Sequence, residues 1–134
     1  MEDLLTFHHL GLAVPDVQRE ARLCAALGYE PEGGVFDDPG EGVRGLFMTG
    51  PAAGLPRLEL LENLPGSTTL SPWLRRRVRL YHMAFTVADI ETASRRLAGR
   101  HRALMVGGIR PCTCFARICF MALPGAQLIE LIEP

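Results

Sequence analysis

The sequence contains an internal repeat, and this repeat restricts the possible folds more than any other feature. Residues 7–17 (FHHLGLAVPDV) resemble residues 80–90 (LYHMAFTVADI), and residues 58–62 (LELLE) resemble residues 129–133 (IELIE). The two matches occur at nearly the same spacing along the chain. Two short matches at a shared spacing predict a duplicated structural module.

The first segment of each repeat is predicted to be a β-strand. Alternate side chains of an extended strand share a face, so His9 and His82 each lie above small residues while bulky apolar residues occupy the opposite face. The bulky face requires a helix packed on it. The face with small residues leaves room for a ligand.

A helix is predicted after each of these strands. Asp16 and Asp89 are suited to accept hydrogen bonds from the free amides of a first helical turn, and Gly28 and Gly99 are the predicted helix ends. Glycine- and proline-rich stretches separate the shorter strands that follow. These strands are predicted near 33–36, 43–49, 56–62, 103–106, 116–122 and 127–133.

The chain is therefore predicted to be one α+β domain, residues 1–134, built from two βαβββ modules. The modules span 5–63 and 79–134, and a linker at 64–78 contains a short helix that Ser71 caps and Pro72 begins. A chain of 134 residues is long enough for one ordinary domain and too short for two.

The repeat singles out four residues that ligate divalent metals in proteins, and these are His9, Glu59, His82 and Glu130. A carboxylate inside an apolar strand is costly unless it is paired, protonated or bound to a metal. Taken singly, each histidine is typical of a hydrogen-bonded structural residue and each glutamate of a solvated face. Because the four recur together, we favour a metal site.

Nearby residues of the same types compete for these roles. His8 is the alternative to His9, but the repeat places it opposite Tyr81 rather than opposite a histidine. Glu62 and Glu133 follow the two candidate glutamates, and we assign both to a solvated strand face. The site predicted from the repeat therefore contains one histidine and one glutamate from each module.

Charge and composition exclude several function classes. Fifteen acidic and 14 basic residues leave a net charge of -1, which argues against a nucleic-acid partner. Every basic residue is arginine, so a Schiff-base, phosphate-loop or general-base lysine is excluded. No apolar run has the length of a membrane span and no signal peptide is evident, so we expect a cytoplasmic protein with no membrane partner.

Four cysteines are present, at positions 24, 112, 114 and 119. Only Thr113 separates Cys112 from Cys114, which is closer than the cysteines of a structural zinc pair. We expect reduced thiols, and a reactive cysteine in the 112–114 loop is the alternative.

The segments quoted above resemble the vicinal oxygen chelate superfamily, which includes glyoxalases, methylmalonyl-CoA epimerases, extradiol dioxygenases and bleomycin resistance proteins. The resemblance extends from Phe7 to Glu133 and is greatest to the methylmalonyl-CoA epimerases. It implies an α+β fold of paired βαβββ modules, whose mixed sheet curls around one metal cleft. It also implies a homodimer.

The resemblance further implies a ligand set and an activity. His9, Glu59, His82 and Glu130 correspond to the ligands of one divalent ion, for which Co, Mn, Ni, Zn, Fe and Mg are all candidates. The implied activity is that of an epimerase or isomerase acting by proton abstraction beside a chelated carbonyl. The substrate would be a small molecule, with an acyl-CoA as the leading candidate, and Glu130 would be the base.

The sequence departs from the epimerase pattern at one position. Some epimerases of this type have a glutamate where this chain has Gly45, so we expect nearby Glu41, or a water molecule, to serve as the second acid or base. The alternatives are a glyoxalase-like lyase, a tailoring enzyme for another chelating substrate, and a metal-free protein that sequesters a drug.

Arginines form the densest charged cluster, at positions 75, 76, 77 and 79. Such a run is typical of a solvated helix face, and the alternative is an anchor for the phosphates of coenzyme A. Arg110 and Arg117 flank the cysteine loop, and either one is a candidate to pair with a substrate carboxylate.

Overall fold

The computed structural model describes residues 5–134, which form eight strands and three helices. Their contacts divide these residues into two compact units. The first unit comprises residues 9–81, and the second comprises residues 5–8 together with 82–134. The elements are β1 (Thr6–Ala13), α1 (Val17–Ala26), β2 (Glu30–Asp38), β3 (Val43–Thr49), β4 (Leu58–Asn63), α2 (Ser71–Arg76), β5 (Leu80–Thr86), α3 (Ile90–His101), β6 (Leu104–Arg110), β7 (Arg117–Ala122) and β8 (Leu128–Glu133).

The first unit contains a four-stranded mixed sheet in the order β2-β3-β4-β1. β1 and β4 run parallel with Gly11 opposite Glu59, and the other two pairs are antiparallel. Helix α1 packs its buried residues Val17 and Cys24 against the apolar face of this sheet. The main buried partners on or beside the strands are Val14, Leu46, Met48 and Leu60.

The second unit repeats this arrangement with the strand order β5-β8-β7-β6. β5 and β8 run parallel with Ala84 opposite Glu130, and β8 is antiparallel to β7. The core between α3 and this sheet includes Ile90 and Ala93 from the helix and Cys119, Met121 and Leu131 from the strands. Both predicted βαβββ modules are therefore present, and the predicted α+β class is confirmed.

Both predicted aspartate caps are confirmed. The amide of Arg19 donates to Asp16 at 3.1 Å, and the amide of Thr92 donates to Asp89 at 3.1 Å. The hydrogen bond from Thr92 lowers the pKa of the Asp89 carboxyl. Carboxylates at these positions satisfy helix amides that have no partner within the helix.

A second pair of carboxylates also caps these helices, and our assignment of Glu62 and Glu133 to a solvated face is wrong. The Val17 amide donates to Glu62 at 2.7 Å, and the Ile90 amide donates to Glu133 at 2.9 Å. Each glutamate is only partly exposed and accepts from the first residue of its helix. The positive end of the helix dipole stabilises a carboxylate at this position.

Two predicted helix boundaries are also wrong. α3 continues through Gly99 to His101 and ends at Arg102, whose φ of 58° places it in the left-handed region that ends many helices. Ser71 is the first residue of α2 rather than its cap. The side chain of Asn63 orders this start, because it accepts from the Leu70 amide at 2.8 Å and contacts the Ser71 hydroxyl at 3.3 Å.

Side chains from β2 and β4 pack closely over Gly45 on β3. The register pairs Gly45 with Phe36 on β2 and with Leu61 on β4. A Cβ atom on Gly45 would lie 2.5 Å from the Phe36 ring and 2.9 Å from a Leu61 methyl group. The Phe36 ring therefore occupies the space that a side chain at position 45 would need.

We predict that Gly45→Ala lowers the free energy of unfolding by about 1–3 kcal/mol, the usual cost of overpacking a core. Chemical denaturation of the purified variant measures this difference. Gly34→Ala in β2 is the control, because a Cβ there meets no atom within 4 Å. Equal effects of the two substitutions would contradict the packing described for Gly45.

Within residues 5–134 the four cysteines form no disulfide, and Cys24 and Cys119 are buried whereas Cys114 is exposed. Burial raises the pKa of the Cys119 thiol to about 11. No helix within residues 5–134 combines the length and apolarity needed to cross a lipid bilayer.

We predict that iodoacetamide at pH 8 modifies Cys114 in the native protein while leaving Cys119 unmodified. The thiolate is the reactive form, and the raised pKa keeps Cys119 protonated well above pH 8. Mass spectrometry of proteolytic peptides measures both sites. Cys119 should react only after denaturant is added, and labelling of both residues at one rate in native buffer would contradict its burial.

Candidate metal centre

A buried histidine–glutamate pair lies on two adjacent strands of the first unit. His9 precedes Gly11 by two residues on β1, so it shares the face of that strand that meets Glu59 on β4. His9 Nε2 lies 3.0 Å from Glu59 Oε1. The two residues are 0% and 7% exposed. The parallel register of β1 and β4 therefore brings this predicted pair together.

The second unit contains the equivalent pair in the equivalent register. His82 precedes Ala84 by two residues on β5, and Ala84 lies opposite Glu130 on β8. His82 Nε2 lies 3.2 Å from Glu130 Oε1, and the two residues are 1% and 5% exposed. The duplication therefore reproduces the position, the partner and the burial of each member.

A phenyl ring accompanies each pair. The sequence favours the core over the cleft wall for Phe47, and it does not single out Phe120. Phe47 lies opposite Glu59 and Phe120 lies opposite Glu130 in the antiparallel registers. Each ring packs edge-on against its histidine, with centroids 5.1 Å apart in the first unit and 5.3 Å in the second. The repeat does contain the signal, since residues 44–47 (RGLF) correspond to residues 117–120 (RICF).

The donor spacing of each pair fits a divalent cation. Metal–nitrogen and metal–oxygen bonds of about 2.1 Å at a right angle place two donor atoms about 3.0 Å apart. The observed separations of 3.0 and 3.2 Å match this value. The same spacing suits a hydrogen bond when Nε2 carries a proton, so the imidazole must release that proton when a metal binds. The residues present therefore fit the predicted type of ion.

The two units differ in what lies beyond the phenyl ring. Phe36 stacks on Phe47 with centroids 5.8 Å apart and an interplanar angle of 24°. The Arg110 guanidinium lies 5.5 Å above the Phe120 ring. The Phe47 ring therefore has an aromatic neighbour, whereas the Phe120 ring has a cation above it.

The structure does not bring Glu41 to the first pair. Glu41 lies in the turn between β2 and β3, and the register of β3 and β4 pairs Val43 with Asn63. Asn63 is four residues from Glu59 along β4, a distance of about 13 Å. Glu41 lies beyond that end of the strand, and its backbone carbonyl accepts a hydrogen bond from Thr69 at 2.9 Å.

Arg117 takes part in ion pairs within the protein. Its guanidinium donates to Glu91 at 2.9 Å and to Glu133 at 2.9 Å. These hydrogen bonds raise the pKa of Arg117 and stabilise its charged form. Of the two arginines that flank the cysteine loop, Arg110 is the one that lies against Phe120, beside the second pair.

Comparison with known proteins identifies the family. The sequence model of the Glyoxalase/Bleomycin resistance protein/Dioxygenase superfamily matches residues 8–120. No match was found among curated protein sequences.

Solved structures share the fold over the whole chain. A methylmalonyl-CoA epimerase from Mycobacterium tuberculosis is 24% identical with a TM-score of 0.83, covering 100% of this chain and 91% of its own. Another methylmalonyl-CoA epimerase is 25% identical with a TM-score of 0.77, covering 99% and 98%. The Streptomyces coelicolor epimerase in complex with 2-nitronate-propionyl-CoA is 24% identical with a TM-score of 0.75, covering 97% and 98%. With the family match spanning most of its length, the chain belongs to the glyoxalase/bleomycin resistance protein/dioxygenase superfamily.

Proposed function

We propose that this protein is a metal-dependent isomerase. It removes and replaces the proton on the carbon next to the carbonyl of an acyl thioester, as a methylmalonyl-CoA epimerase does. One observation carries the proposal, namely that the same buried histidine–glutamate pair occurs twice in the same strand register. A buried carboxylate requires compensation, and one bound cation would compensate both carboxylates.

In this proposal His9, Glu59, His82 and Glu130 hold one divalent ion, because each offers a donor atom suited to it. When bound, such an ion acts as a Lewis acid toward a carbonyl oxygen. Four protein ligands leave about two positions of a six-coordinate ion for substrate oxygens. The two phenyl rings limit the access of water to the histidines that they contact.

Glu130 is the proposed base. Its carboxylate takes the proton from the carbon next to the carbonyl, and a water molecule delivers a proton to the opposite face, which inverts the carbon centre. His82, 3.2 Å away, restricts the orientation of the carboxylate. The β7–β8 pairing and the Phe120 ring hold the surrounding strand, so the proton-carrying oxygen is positioned by rigid elements rather than by a loop.

The acyl-CoA class of substrate is supported by similarity alone. The Streptomyces coelicolor epimerase holds 2-nitronate-propionyl-CoA, and its fold matches this chain over nearly all of both proteins. We extend the acyl thioester class to this chain on that basis.

Another chelating substrate is the second candidate, and the surroundings of Gly45 favour it. Gly45 and Phe47 lie on the face of β3 that meets Leu61 and Glu59 on β4. The Phe36 ring excludes an acidic side chain from position 45. A reaction that needs a base on only one side of the substrate, as in a glyoxalase-like lyase, does not require an acidic side chain at position 45.

We predict that protein purified without chelator contains close to one divalent ion per chain, and that Glu59→Gln lowers this content. The substitution keeps the shape of the side chain and removes the charge that favours the cation. Plasma mass spectrometry measures the metal, and Glu30→Gln, an exposed change in β2, is the control. Metal-free protein that also fails to take up Zn, Co or Mn would favour the sequestering protein instead.

We predict that metal-loaded protein exchanges the 2-proton of methylmalonyl-CoA with deuterium from heavy water, and that Glu130→Gln reduces this rate by at least about 100-fold, as expected for loss of a general base. Mass spectrometry of the thioester measures the exchange. An active Glu130→Gln variant would remove Glu130 from the role of base. Absence of exchange in the loaded wild-type protein would eliminate this substrate.

Glu41 is tested by a separate readout. A second acid is needed for inversion of the carbon centre but not for exchange at one face. We expect the Glu41→Gln variant to retain both exchange and inversion, because the turn that contains Glu41 lies at least about 13 Å from Glu59 along the sheet. Chiral analysis of the product would identify Glu41 as the second acid if inversion alone were lost.

A further inference from the structure

The first unit contains a cavity of about 370 Å³ beside α2, lined by Trp73, Arg77, Arg79 and the end of β1. We infer that this cavity binds the phosphate-bearing nucleotide end of an acyl-CoA substrate. The choice of ligand rests on the proposed function, whereas the site itself rests on the cavity, its charge and its position.

The cavity is positively charged. Arg77 and Arg79 line it, and the sequence contains no acidic residue between Glu62 and Asp89. Arg79 pairs with Glu20 at 2.9 Å, whereas no ion pair engages Arg77 among residues 5–134. Arg77 therefore places at the wall of a cavity a positive charge that no ion pair in the described part of the chain compensates. An arginine that served only as part of a solvated helix face would not need this position.

The position of the cavity suits an extended ligand. Ala13 lines the cavity and lies on the same face of β1 as His9, because the two residues are four positions apart on one strand. That separation is about 13 Å along the strand. A ligand with a reactive group near His9 and a flexible arm along β1 would place its far end at the cavity.

The lining residues suit a phosphorylated heterocycle. A guanidinium binds a phosphate through two parallel hydrogen bonds, which makes arginine the side chain of choice for this group. Trp73 offers a flat apolar wall, and its edge-on contact with Tyr81, with centroids 4.7 Å apart, restricts the indole ring. The cavity volume lies within the usual range for small-molecule sites.

The backbone holds Arg77 toward this site. Arg77 follows α2 with φ 57° and ψ 35°, and its amide donates to the carbonyl of Leu74 at 3.2 Å. This left-handed residue ends the helix and turns the chain so that Arg77, Val78 and Arg79 all line the cavity. Arg75 and Arg76 belong to the same basic run but do not line it. All four arginines of the run are exposed, but only Arg77 and Arg79 line the cavity, so Arg75 and Arg76 are matched controls.

Trp73 is the only tryptophan in the chain, so its fluorescence reports on this cavity. We expect adenosine 3′,5′-bisphosphate to change the fluorescence of the wild-type protein saturably. Arg77→Asn should weaken binding by at least about tenfold, the usual loss for a charge-assisted hydrogen bond. Asparagine tolerates the left-handed backbone of position 77. Arg76→Gln removes the same charge outside the cavity and should weaken binding by less than about twofold.

Several outcomes would overturn the inference. These are no saturable change in the wild-type protein, equal weakening by both substitutions, and binding of inorganic phosphate as tightly as the nucleotide. Arg77→Lys keeps the charge and should retain part of the affinity, and thermal melts of each variant verify folding. Titration needs neither metal nor turnover, so nucleotide binding without proton exchange would refute the proposed reaction and leave this site standing.

Discussion

A carboxylate buried in a β-sheet is the constraint on which each unit depends. Glu59 is compensated by His9 only while β1 and β4 keep the register in which Gly11 lies opposite Glu59. A slip of one residue would turn His9 to the other face of β1 and leave the carboxylate unpaired inside the protein. The pair therefore selects the register of the parallel strands on which the rest of the sheet is built.

The same strands tie the pair to the helices. Glu59 and Glu62 are three residues apart on β4, so they project to opposite faces. Glu59 meets His9 on one face, and Glu62 accepts from the first amide of α1 on the other. A change in the register of β4 would therefore break the buried pair and the helix cap together. Glu130 and Glu133 repeat this relation on β8.

The repeat was enough to predict both modules and the four candidate ligands, because a pattern that occurs twice identifies residues that a single copy leaves ambiguous. It did not distinguish a glutamate that caps a helix from one on a solvated face, since Glu62 and Glu133 recur equally well in either role. The start of α2 was mispredicted because the side chain of Asn63, eight residues before Ser71, organises it. Such contacts depend on tertiary structure, and local sequence preferences do not encode them.

The places where the two copies differ are as informative as those where they agree. Phe36 and Arg110 occupy corresponding positions in the two sheets. Phe36 pairs with Gly45 and Arg110 pairs with Ile118, each two residues before the phenylalanine that contacts a histidine. Under the proposed function, metal ligation requires the histidines and glutamates in both copies, whereas nothing in that chemistry requires the ring neighbours to match. An aromatic stack in one unit and a guanidinium in the other give the two pairs different surroundings. Such a difference is what we expect if the proposed ligand pair is retained in both copies while the residues around it adapt to a substrate.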